Sequence, residues 1–468
     1  MKLYNTASRE IEEFKPQMPP EVSFYSCGPT VYDFTHIGHM RAYTNTDFLK
    51  RTLTYLGLKV NHVMNITDVG HLTGDTDEGE DKLEKGAKSS GKSVWDVAKF
   101  YADNFFETMK ALNILPAETT CKATDHIEEM IELVKKLVEK GFAYETKEAI
   151  YFETAKFANY GKLSGQKLDE KIQQARKEVV ADPEKKNPAD FALWFKTVGR
   201  FANHEMHWSS PWGEGFPGWH IECSAMSMKY LGKTIDIHSG GVDHIPVHHE
   251  NEIAQSETAT GKPFVKQWFH NEFLLVDGVK MSKSLQNFYT LKDIKKKNVD
   301  PIALRYLFTQ TQYRQQMNFT WESLEGAQNS LIKLRELVLA LRKQTDRQMI
   351  SEDKLIQVDT FRSQFRAALE NDLQMPQAVA VVWSMLKSNI PSEDKLDLLY
   401  ELDQVLGLNL KELNEELIPK NILELVMKRE TARKNKDFTT SDQLRAEIEK
   451  LGYRVEDIGD NYSVKKIN

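Results

Sequence analysis

The first pattern of hydrophobic and polar positions along the chain predicts a strand, a helix and a second strand. Apolar residues between positions 21 and 26 form a short strand-like run, and a loop separates it from a helical pattern that starts at about His36. That helix has apolar positions at helical spacing and ends at Gly57, after which residues 59–66 return as a strand. These lengths predict a βαβ unit and therefore a parallel sheet.

A second set of α/β signals follows later in the chain. Residues 218–231 are helix-like, a short apolar strand and another helix come next, and residues 268–276 form a strand that ends at the turn dipeptide Asp277-Gly278. The intervening residues 116–209 are rich in charge. We therefore expect an insertion that splits one α/β domain.

Beyond the α/β region the pattern becomes helical throughout. Apolar stripes at helical spacing predict a bundle core over residues 318–418, and Pro419 marks the start of a small module with a basic helix and two possible strands. The predicted fold class is α/β. A Rossmann-type parallel-sheet domain over residues 1–317, split at about 116–209, precedes the bundle and a small α+β module over residues 419–468.

Composition limits the classes of partner. The 62 lysines and arginines against 69 aspartates and glutamates give a net charge of −7, so any nucleic acid must be held by local basic patches. No apolar run approaches the ~18 residues of a membrane span, and the first residues lack a secretory signal. Three cysteines cannot form a disulfide framework, which predicts a reducing cytoplasm.

Two short motifs stand beside predicted strands. Residues 36–39 read His-Ile-Gly-His at a helix start, where unpaired backbone N–H groups favour phosphate, and Gly38 lets a nucleotide approach the backbone closely. Residues 280–284 read Lys-Met-Ser-Lys-Ser on a loop, and two lysines with two hydroxyls suit a polyphosphate. Taken singly, the first motif could be two surface histidines and the second a solvated basic loop.

Together and in this order, the two motifs resemble those of the class I aminoacyl-tRNA synthetases. The resemblance implies that an amino-acid carboxylate attacks the α-phosphate of ATP in line, that pyrophosphate leaves, and that the ribose at a tRNA end then attacks the adenylate. Catalysis there is positioning and electrostatics, with Mg²⁺ accompanying ATP. The implied catalytic residues are His36, His39, Lys280 and Lys283, and the implied ATP-binding residues are these four with Gly38 and Ser282.

Four residues with metal-binding side chains are scattered along the chain. Cys27 ends the first predicted strand, Cys223 lies within residues 218–231, and His248 and Glu252 are four residues apart and hence on one helical face. Thiolates, an imidazole and a carboxylate suit zinc. Without Cys-x-x-Cys spacing, however, scattered cysteines are more often small buried hydrophobes. Spacing alone leaves both interpretations open.

Four stretches resemble the cysteinyl-tRNA synthetases, namely residues 27–32, 65–68, 218–226 and 246–256, and the similarity extends over essentially the whole chain. In that family the residues matching Cys27, Cys223, His248 and Glu252 bind one zinc ion, to which the substrate thiolate adds. Zinc favours a thiolate over a hydroxyl, which implies rejection of serine without an editing domain.

The same resemblance implies four residues around the amino acid, which are Thr67, Trp219, His238 and Asp243. Asp243 is suited to the substrate ammonium, and His238 to supporting the zinc region. Two departures from the family pattern, Val69-Gly70-His71 and Ser239, are expected to alter loop contacts and not the zinc ligands. Three further histidines are expected to face solvent or surround the metal without binding it, namely His71, His244 and His249.

The final module carries basic residues interleaved with an aromatic residue, a composition that suits an RNA backbone and an unstacked base. On its own such a run is normally a solvated helix face. The resemblance favours anticodon binding, with tRNA contacts from Arg429, Arg433, Lys434 and Lys436.

The function that the resemblance implies is a cysteine–tRNA ligase, which we expect to be monomeric and cytoplasmic. Its partners would be tRNA(Cys), ATP and L-cysteine, with one Zn²⁺ per subunit and Mg²⁺ with ATP. One alternative is an ATP-dependent cysteine ligase that acts on an amino sugar, but such relatives lack the helical and anticodon-binding end. The other is a non-catalytic tRNA-binding protein with a structural zinc, which would need neither of the two phosphate motifs.

Overall fold

The computed structural model describes residues 1–70, 81–166, 182–282, 285–344, 349–413, 420–458 and 461–466. The strands are β1 Lys2–Asn5, β2 Glu10–Glu13, β3 Glu21–Ser26, β4 Lys59–Ile66, β5 Thr119–Lys122, β6 Ala143–Glu145, β7 Ala149–Phe152, β8 Phe191–Lys196, β9 Trp208–Ser210, β10 Gly213–Pro217, β11 Ile235–Gly241, β12 Val265–Asn271, β13 Leu274–Val276, β14 Val279–Lys280, β15 Met317–Phe319, β16 Tyr453–Ile458 and β17 Asn461–Lys466.

The α-helices are α1 Ile37–Tyr55, α2 Lys82–Ser90, α3 Val94–Ala111, α4 Ile127–Glu139, α5 Trp219–Leu231, α6 Glu250–Thr260, α7 Leu291–Lys296, α8 Pro301–Phe308, α9 Trp321–Arg342, α10 Glu352–Glu370, α11 Met375–Lys387, α12 Ser392–Leu406, α13 Lys420–Lys434 and α14 Phe438–Lys450. The chain divides into two compact units, Met1–Leu410 and Lys411–Asn468. None of the described helices is both long and apolar enough to cross a membrane.

The first unit is built on a five-stranded sheet in the order β12-β11-β3-β4-β5, in which every neighbouring pair is parallel. The predicted βαβ unit is present as β3, α1 and β4, and its strands carry the buried residues Phe24, Tyr25 and Val63. Since all five strands run the same way, their carboxyl ends meet at one edge, where open α/β sheets bind ligands. The predicted α/β fold with a parallel sheet is therefore confirmed.

A second, antiparallel sheet is inserted into this domain, with the order β6-β7-β8-β10-β9. It spans residues 143–217, whereas we expected an insertion over about 116–209. The difference arises because β5 adds to the edge of the parallel sheet and α4 returns to pack on α5. Stacked aromatic rings such as Phe195 and Phe216, whose centres are 5.0 Å apart, fill one face of the inserted sheet.

A small third sheet carries the second phosphate motif. β13 pairs in parallel with β15 and forms a hairpin with β14, which ends at Lys280. The turn of the hairpin is Asp277-Gly278, with φ of 50° and 79°, so glycine is favoured at its second position. Helices α9 to α12 follow this sheet, as the helical periodicity predicted.

The second unit has its own small core. Helices α13 and α14 pack together, β16 and β17 form an antiparallel hairpin, and Ile422, Val426, Ile448 and Val455 are buried among them. The two possible strands predicted for this end of the chain are thus present.

Candidate active site

The four metal-binding side chains meet at the carboxyl edge of the parallel sheet. Cys27 directly follows β3, Cys223 lies on α5, and Glu252 lies in the first turn of α6, one turn after His248. One ligand atom of each lies within 4.8 Å of the others. All four side chains are buried, with Glu252 at 0% exposure. The fold therefore brings together residues that are up to 225 positions apart.

The spacing of the ligand atoms fits a metal ion. The Sγ atoms of Cys27 and Cys223 are 3.9 Å apart. Oε1 of Glu252 lies 4.0 Å from Sγ of Cys27 and 3.1 Å from Nε2 of His248. Ligands at about 2.0–2.3 Å from a tetrahedral zinc stand roughly 3.3–3.8 Å apart. Small adjustments would therefore place one ion at the centre of this set.

Charges within the cluster favour the ligand forms of Cys223 and Glu252 but keep His248 protonated. Although burial opposes it, the hydrogen bond with Cys27 and the positive charge of His248 lower the pKa of Cys223 to about 7. Burial also opposes charge on His248, but Cys223 and Glu252 raise its pKa to about 10. Against the same burial penalty, His238 and His248 lower the pKa of Glu252 to about 2. In the metal-free protein, a proton on His248 supplies the positive charge that a metal would bring.

Further histidines surround this cluster. His238 donates from Nε2 to Oε2 of Glu252 over 3.0 Å, the arrangement by which a neighbouring group orients a metal-binding carboxylate. Nδ1 of His220 lies 3.0 Å from Nδ1 of His248, so Nε2 of His248 is the atom directed into the cluster.

His249 lies directly beside the cluster. It is fully buried, its Nε2 is 3.4 Å from Sγ of Cys27, and its Nδ1 is 2.7 Å from Nε2 of His270. A second group of potential ligands therefore overlaps the first, comprising Cys27, His238, His249 and Glu252. Sequence reasoning missed His220 and His270 because histidines on separate elements carry no shared spacing.

The predicted amino-acid residues have different surroundings. Thr67 is buried, and its hydroxyl donates to Oε2 of Glu222 over 2.9 Å. The ring centre of Trp219 lies 4.4 Å from that of His248, so Trp219 borders the cluster. Asp243 is exposed at the end of β11, and its Oδ2 lies 4.0 Å from Nε2 of His244. Glu222 itself, which is fully buried, was not predicted from the sequence.

The two departures from the family pattern lie partly within the described residues. Ser239 is buried on β11, and its carbonyl accepts from the N–H of Cys27 over 3.1 Å. A Cβ atom on Gly70 would lie 2.0 Å from a carboxylate oxygen of Asp81, so this position has no room for a side chain. His71 lies outside the described residues.

At the start of α1, His36 is the helix cap. Its Nδ1 accepts from the backbone N–H groups of Gly38 and His39 at 3.1 and 3.3 Å. Burial and the neighbouring His39 lower the pKa of His36 to about 2, so the ring is neutral and Nε2 carries its proton. The rings of His36 and His39 stack with centres 3.6 Å apart. One donor is therefore left at Nε2 of His36, as a nucleotide phosphate or ribose would need.

The loop with the second motif lies against this helix start. A Cβ atom on Gly38 would lie 2.6 Å from Cε of Met281 and 2.9 Å from Cε1 of His36, so a larger residue here would displace both side chains. The side chain of Asn287 accepts from the N–H of Ser282 at 2.8 Å and donates to the carbonyl of Lys280 at 3.2 Å. Lys283 lies outside the described residues. Asn287 was not predicted, since nothing in the sequence distinguishes it from a surface asparagine.

The predicted tRNA contacts all lie in the second unit. Arg433, Lys434 and Lys436 are exposed at the end of α13 and just beyond it. Arg429 is only 3% exposed, so its side chain packs within the module. Exposed lysine and arginine side chains at a helix end suit a phosphate backbone.

Comparisons with known proteins agree with this geometry. The family model "tRNA synthetases class I (C) catalytic domain" matches residues 13–329, and the "Cysteinyl-tRNA ligase anticodon binding domain" matches residues 416–463. The chain is 42% identical to a cysteine–tRNA ligase of Treponema denticola over the full length of both chains. It is 43% identical to cysteine–tRNA ligase 1 of Burkholderia lata, over 98% of this chain and 95% of that protein.

Solved structures share the fold at lower identity. A Mycobacterium tuberculosis methionyl-tRNA synthetase with methionyl-adenylate has a TM-score of 0.56 and 16% identity, covering 83% of this chain and 90% of that one. A leucyl-tRNA synthetase of Agrobacterium radiobacter, in a ternary complex with tRNA, has a TM-score of 0.58 and 12% identity, covering 85% and 84%. These similarities concern the fold alone.

Proposed function

This chain belongs to the cysteinyl-tRNA synthetases, class I enzymes that join cysteine to tRNA, and we propose that its buried Cys, His and Glu cluster is the zinc site that selects cysteine. The observation that carries the proposal is the meeting of Cys27, Cys223, His248 and Glu252 within 4.8 Å in a buried setting. When bound there, Zn²⁺ would supply a soft Lewis acid for the substrate thiolate, a contact that serine cannot reproduce.

Neighbouring residues of the chain hold the side chains of the proposed zinc site in place. His238 holds the second carboxylate oxygen of Glu252, and Trp219 covers the ring of His248 on one side. His238, His248 and Glu252 are buried, and a setting with little water strengthens each polar contact among them. Thr67 and Asp243 complete the proposed pocket, and Asp243 is suited to the ammonium group of the amino acid.

At the other end of the substrate, His36 and His39 would contact ATP while Lys280, Ser282 and Lys283 would contact its phosphates, with Mg²⁺ accompanying them. Support comes from the neutral ring of His36, whose Nε2–H remains available for donation. Lysine charges would stabilise the charge that develops on pyrophosphate as it leaves. No protein group forms a covalent bond in either step, so these residues act by position and charge.

The second unit is proposed to bind the anticodon of tRNA(Cys). Arg433, Lys434 and Lys436 are its exposed candidates, and Arg429 would act indirectly by packing. Replacing the three exposed residues by alanine should lower tRNA charging and flatten its salt dependence, while amino-acid activation stays unchanged. Lys450→Ala, an exposed lysine on α14, is the control. Charging that stays at the wild-type level in the triple variant would contradict the proposed contacts.

The remaining proposals concern organisation. We propose a monomer, a cytoplasmic location and the domain division 1–317, 318–418 and 419–468. All three cysteines are free and buried, which suits a reducing compartment. The amino-sugar alternative gains no support from the comparisons, whose full-length relatives are cysteine–tRNA ligases.

The experiment that tests the proposed selection is amino-acid-dependent ATP–pyrophosphate exchange with all twenty amino acids, on protein of measured zinc content. Exchange should depend on cysteine, should be negligible with serine, and should fall as zinc is removed by a chelator. Equal exchange with cysteine in zinc-depleted protein would overturn the zinc assignment while leaving the enzyme's class intact.

A further inference from the structure

We infer that Arg41, two residues after His39 on α1, is a positioning residue that sets the place of Lys280 in the phosphate site; the inference rests on the role proposed for Lys280. Arg41 is 1% exposed. Its guanidinium meets four backbone carbonyls. Nη1 donates to those of Glu272 and Phe273 at 2.7 and 3.0 Å, and Nη2 to those of Gln312 and Gln315 at 3.3 and 2.6 Å.

These four carbonyls lie in two segments, each of which leads into one of two paired strands. Glu272 and Phe273 immediately precede β13, and Gln312 and Gln315 lie in the segment that leads into β15. The two strands pair in parallel, and β13 in turn pairs with β14, so that Leu275 lies opposite Lys280. One side chain on α1 therefore holds the beginnings of both parallel strands in the sheet that presents Lys280.

A direct contact links this anchor to the lysine. The Nζ atom of Lys280 lies 5.7 Å from the centre of the Phe273 ring, and the carbonyl of Phe273 is one of the four acceptors. Beyond the loop, the N–H of Ile37 donates to the carbonyl of Tyr289 over 2.9 Å. The loop is thus tied to the first turns of α1 both before and after Lys280.

The chemistry of arginine explains why this residue is needed. Carbonyls offset a buried charge less well than a carboxylate does, so such a site is costly and is retained where its geometry has a use. The planar fork of guanidinium can reach four acceptors on two segments at once, whereas an ammonium group cannot. Lysine at position 41 would therefore keep the charge but release one of the two segments.

The test measures cysteine-dependent ATP–pyrophosphate exchange for Arg41→Lys, Lys280→Ala and the double variant, with kcat and the KM for ATP determined separately. Arg305→Lys is the matched control. Arg305 is also fully buried, and its guanidinium donates to the carbonyls of Leu406, Leu112 and Asn113. It differs from Arg41 in that it also pairs with the carboxylate of Asp47 at 2.6 Å, and none of its hydrogen bonds among the described residues reaches the segments before β13 and β15. It reports the general cost of losing a buried guanidinium.

We expect Arg41→Lys to lower kcat by about 10- to 100-fold, as a small misplacement of a catalytic group does, with zinc content unchanged. In the Lys280→Ala background the same substitution should have little further effect, because both act through one group. Arg305→Lys should lower the melting temperature and leave kcat near the wild-type value. Should Arg41→Lys not fold, Arg41→Gln, which buries no charge, replaces it in the same cycle.

Four outcomes are decisive. A wild-type kcat in folded Arg41→Lys, or losses that multiply in the double variant, would overturn the positioning role. An unchanged kcat in Lys280→Ala would instead refute the phosphate role proposed for that lysine, and the inference about Arg41 would fall with it. A similar loss of kcat in Arg305→Lys would show that any buried arginine has this effect.

Discussion

The two ends of the active site are built in opposite ways. At the thiol end, His238, His249 and Glu252 have no exposed surface, and each side chain is held by another member of the cluster. At the phosphate end, the side chains of His39 and Lys280 are exposed, and the backbone that carries them fixes their positions. A metal requires fixed ligand geometry, whereas ATP must enter and pyrophosphate must leave. In the proposed function, selection would therefore rely on rigid side chains, while catalysis would use exposed side chains at a helix start and on an anchored loop.

The largest effect is expected when a thiolate is removed from the buried thiol end of the site. Cys223→Ser should reduce zinc from about one per chain to near zero and abolish cysteine activation, because a hydroxyl is a poor zinc ligand. Metal analysis and pyrophosphate exchange measure the two effects. Cys121→Ser is the matched control, since Cys121 is also buried but its Sγ lies 3.6 Å from the carbonyl of Met64, outside the cluster. Full zinc in Cys223→Ser would refute the site.

A steep pH dependence of zinc affinity should follow from the same end. At about pH 8 the metal-free protein keeps the proton of His248, whose pKa is about 10, and that of Cys27, whose pKa burial and the neighbouring Cys223 raise well above its usual value. Zinc must displace both protons, so its affinity should rise by about 100-fold per pH unit near pH 8. Chelator competition at pH 7.5 and 8.5 measures the slope. A pH-independent affinity would mean that neither proton is released.

At the phosphate end, removal of one lysine should change the rate and not the binding of cysteine. Lys283→Ala should lower kcat for exchange by about 100-fold, because its charge is needed most when pyrophosphate leaves. Lys292→Ala, an exposed lysine on α7, should behave as the wild type. If cysteine binding fell in Lys283→Ala while kcat held, Lys283 would contribute to the amino-acid end and not to the phosphate end.

The smallest effect is expected for a group that supports the cluster without completing the predicted zinc set. His238→Gln should weaken zinc binding by about 10- to 100-fold, since the hydrogen bond to Glu252 then depends on a less well-placed amide. His126→Gln is the control, because His126 is buried and pairs with Tyr230 outside the cluster. Complete loss of zinc in His238→Gln would instead favour the overlapping ligand group that includes His238 and His249.

Much of this protein could be predicted from its sequence because the decisive signals are local. Strand β3, helix α1 and strand β4 follow from periodicity and from end signals within 46 residues. Each of the two proposed phosphate motifs is also a single uninterrupted run of residues. The four zinc candidates were predicted as a set only through the family resemblance, since their spacing along the chain is not distinctive. The basic module was also recognised in outline, although the buried position of Arg429 was not.

Contacts between residues that are distant along the chain were decided only by the tertiary structure. Arg41 and its acceptors are separated by 231 to 274 positions, and Cys27 and His249 by 222. Such contacts depend on which strands become neighbours, and no local pattern records that choice. An arginine in an amphipathic helix is ordinarily expected at the surface. Nothing in the sequence therefore indicated that Arg41 is buried against the segments that lead to the loop of residues 280–284. The sequence by itself determined the elements and the chemistry at their ends, while the parallel strand order decided which of those groups act together.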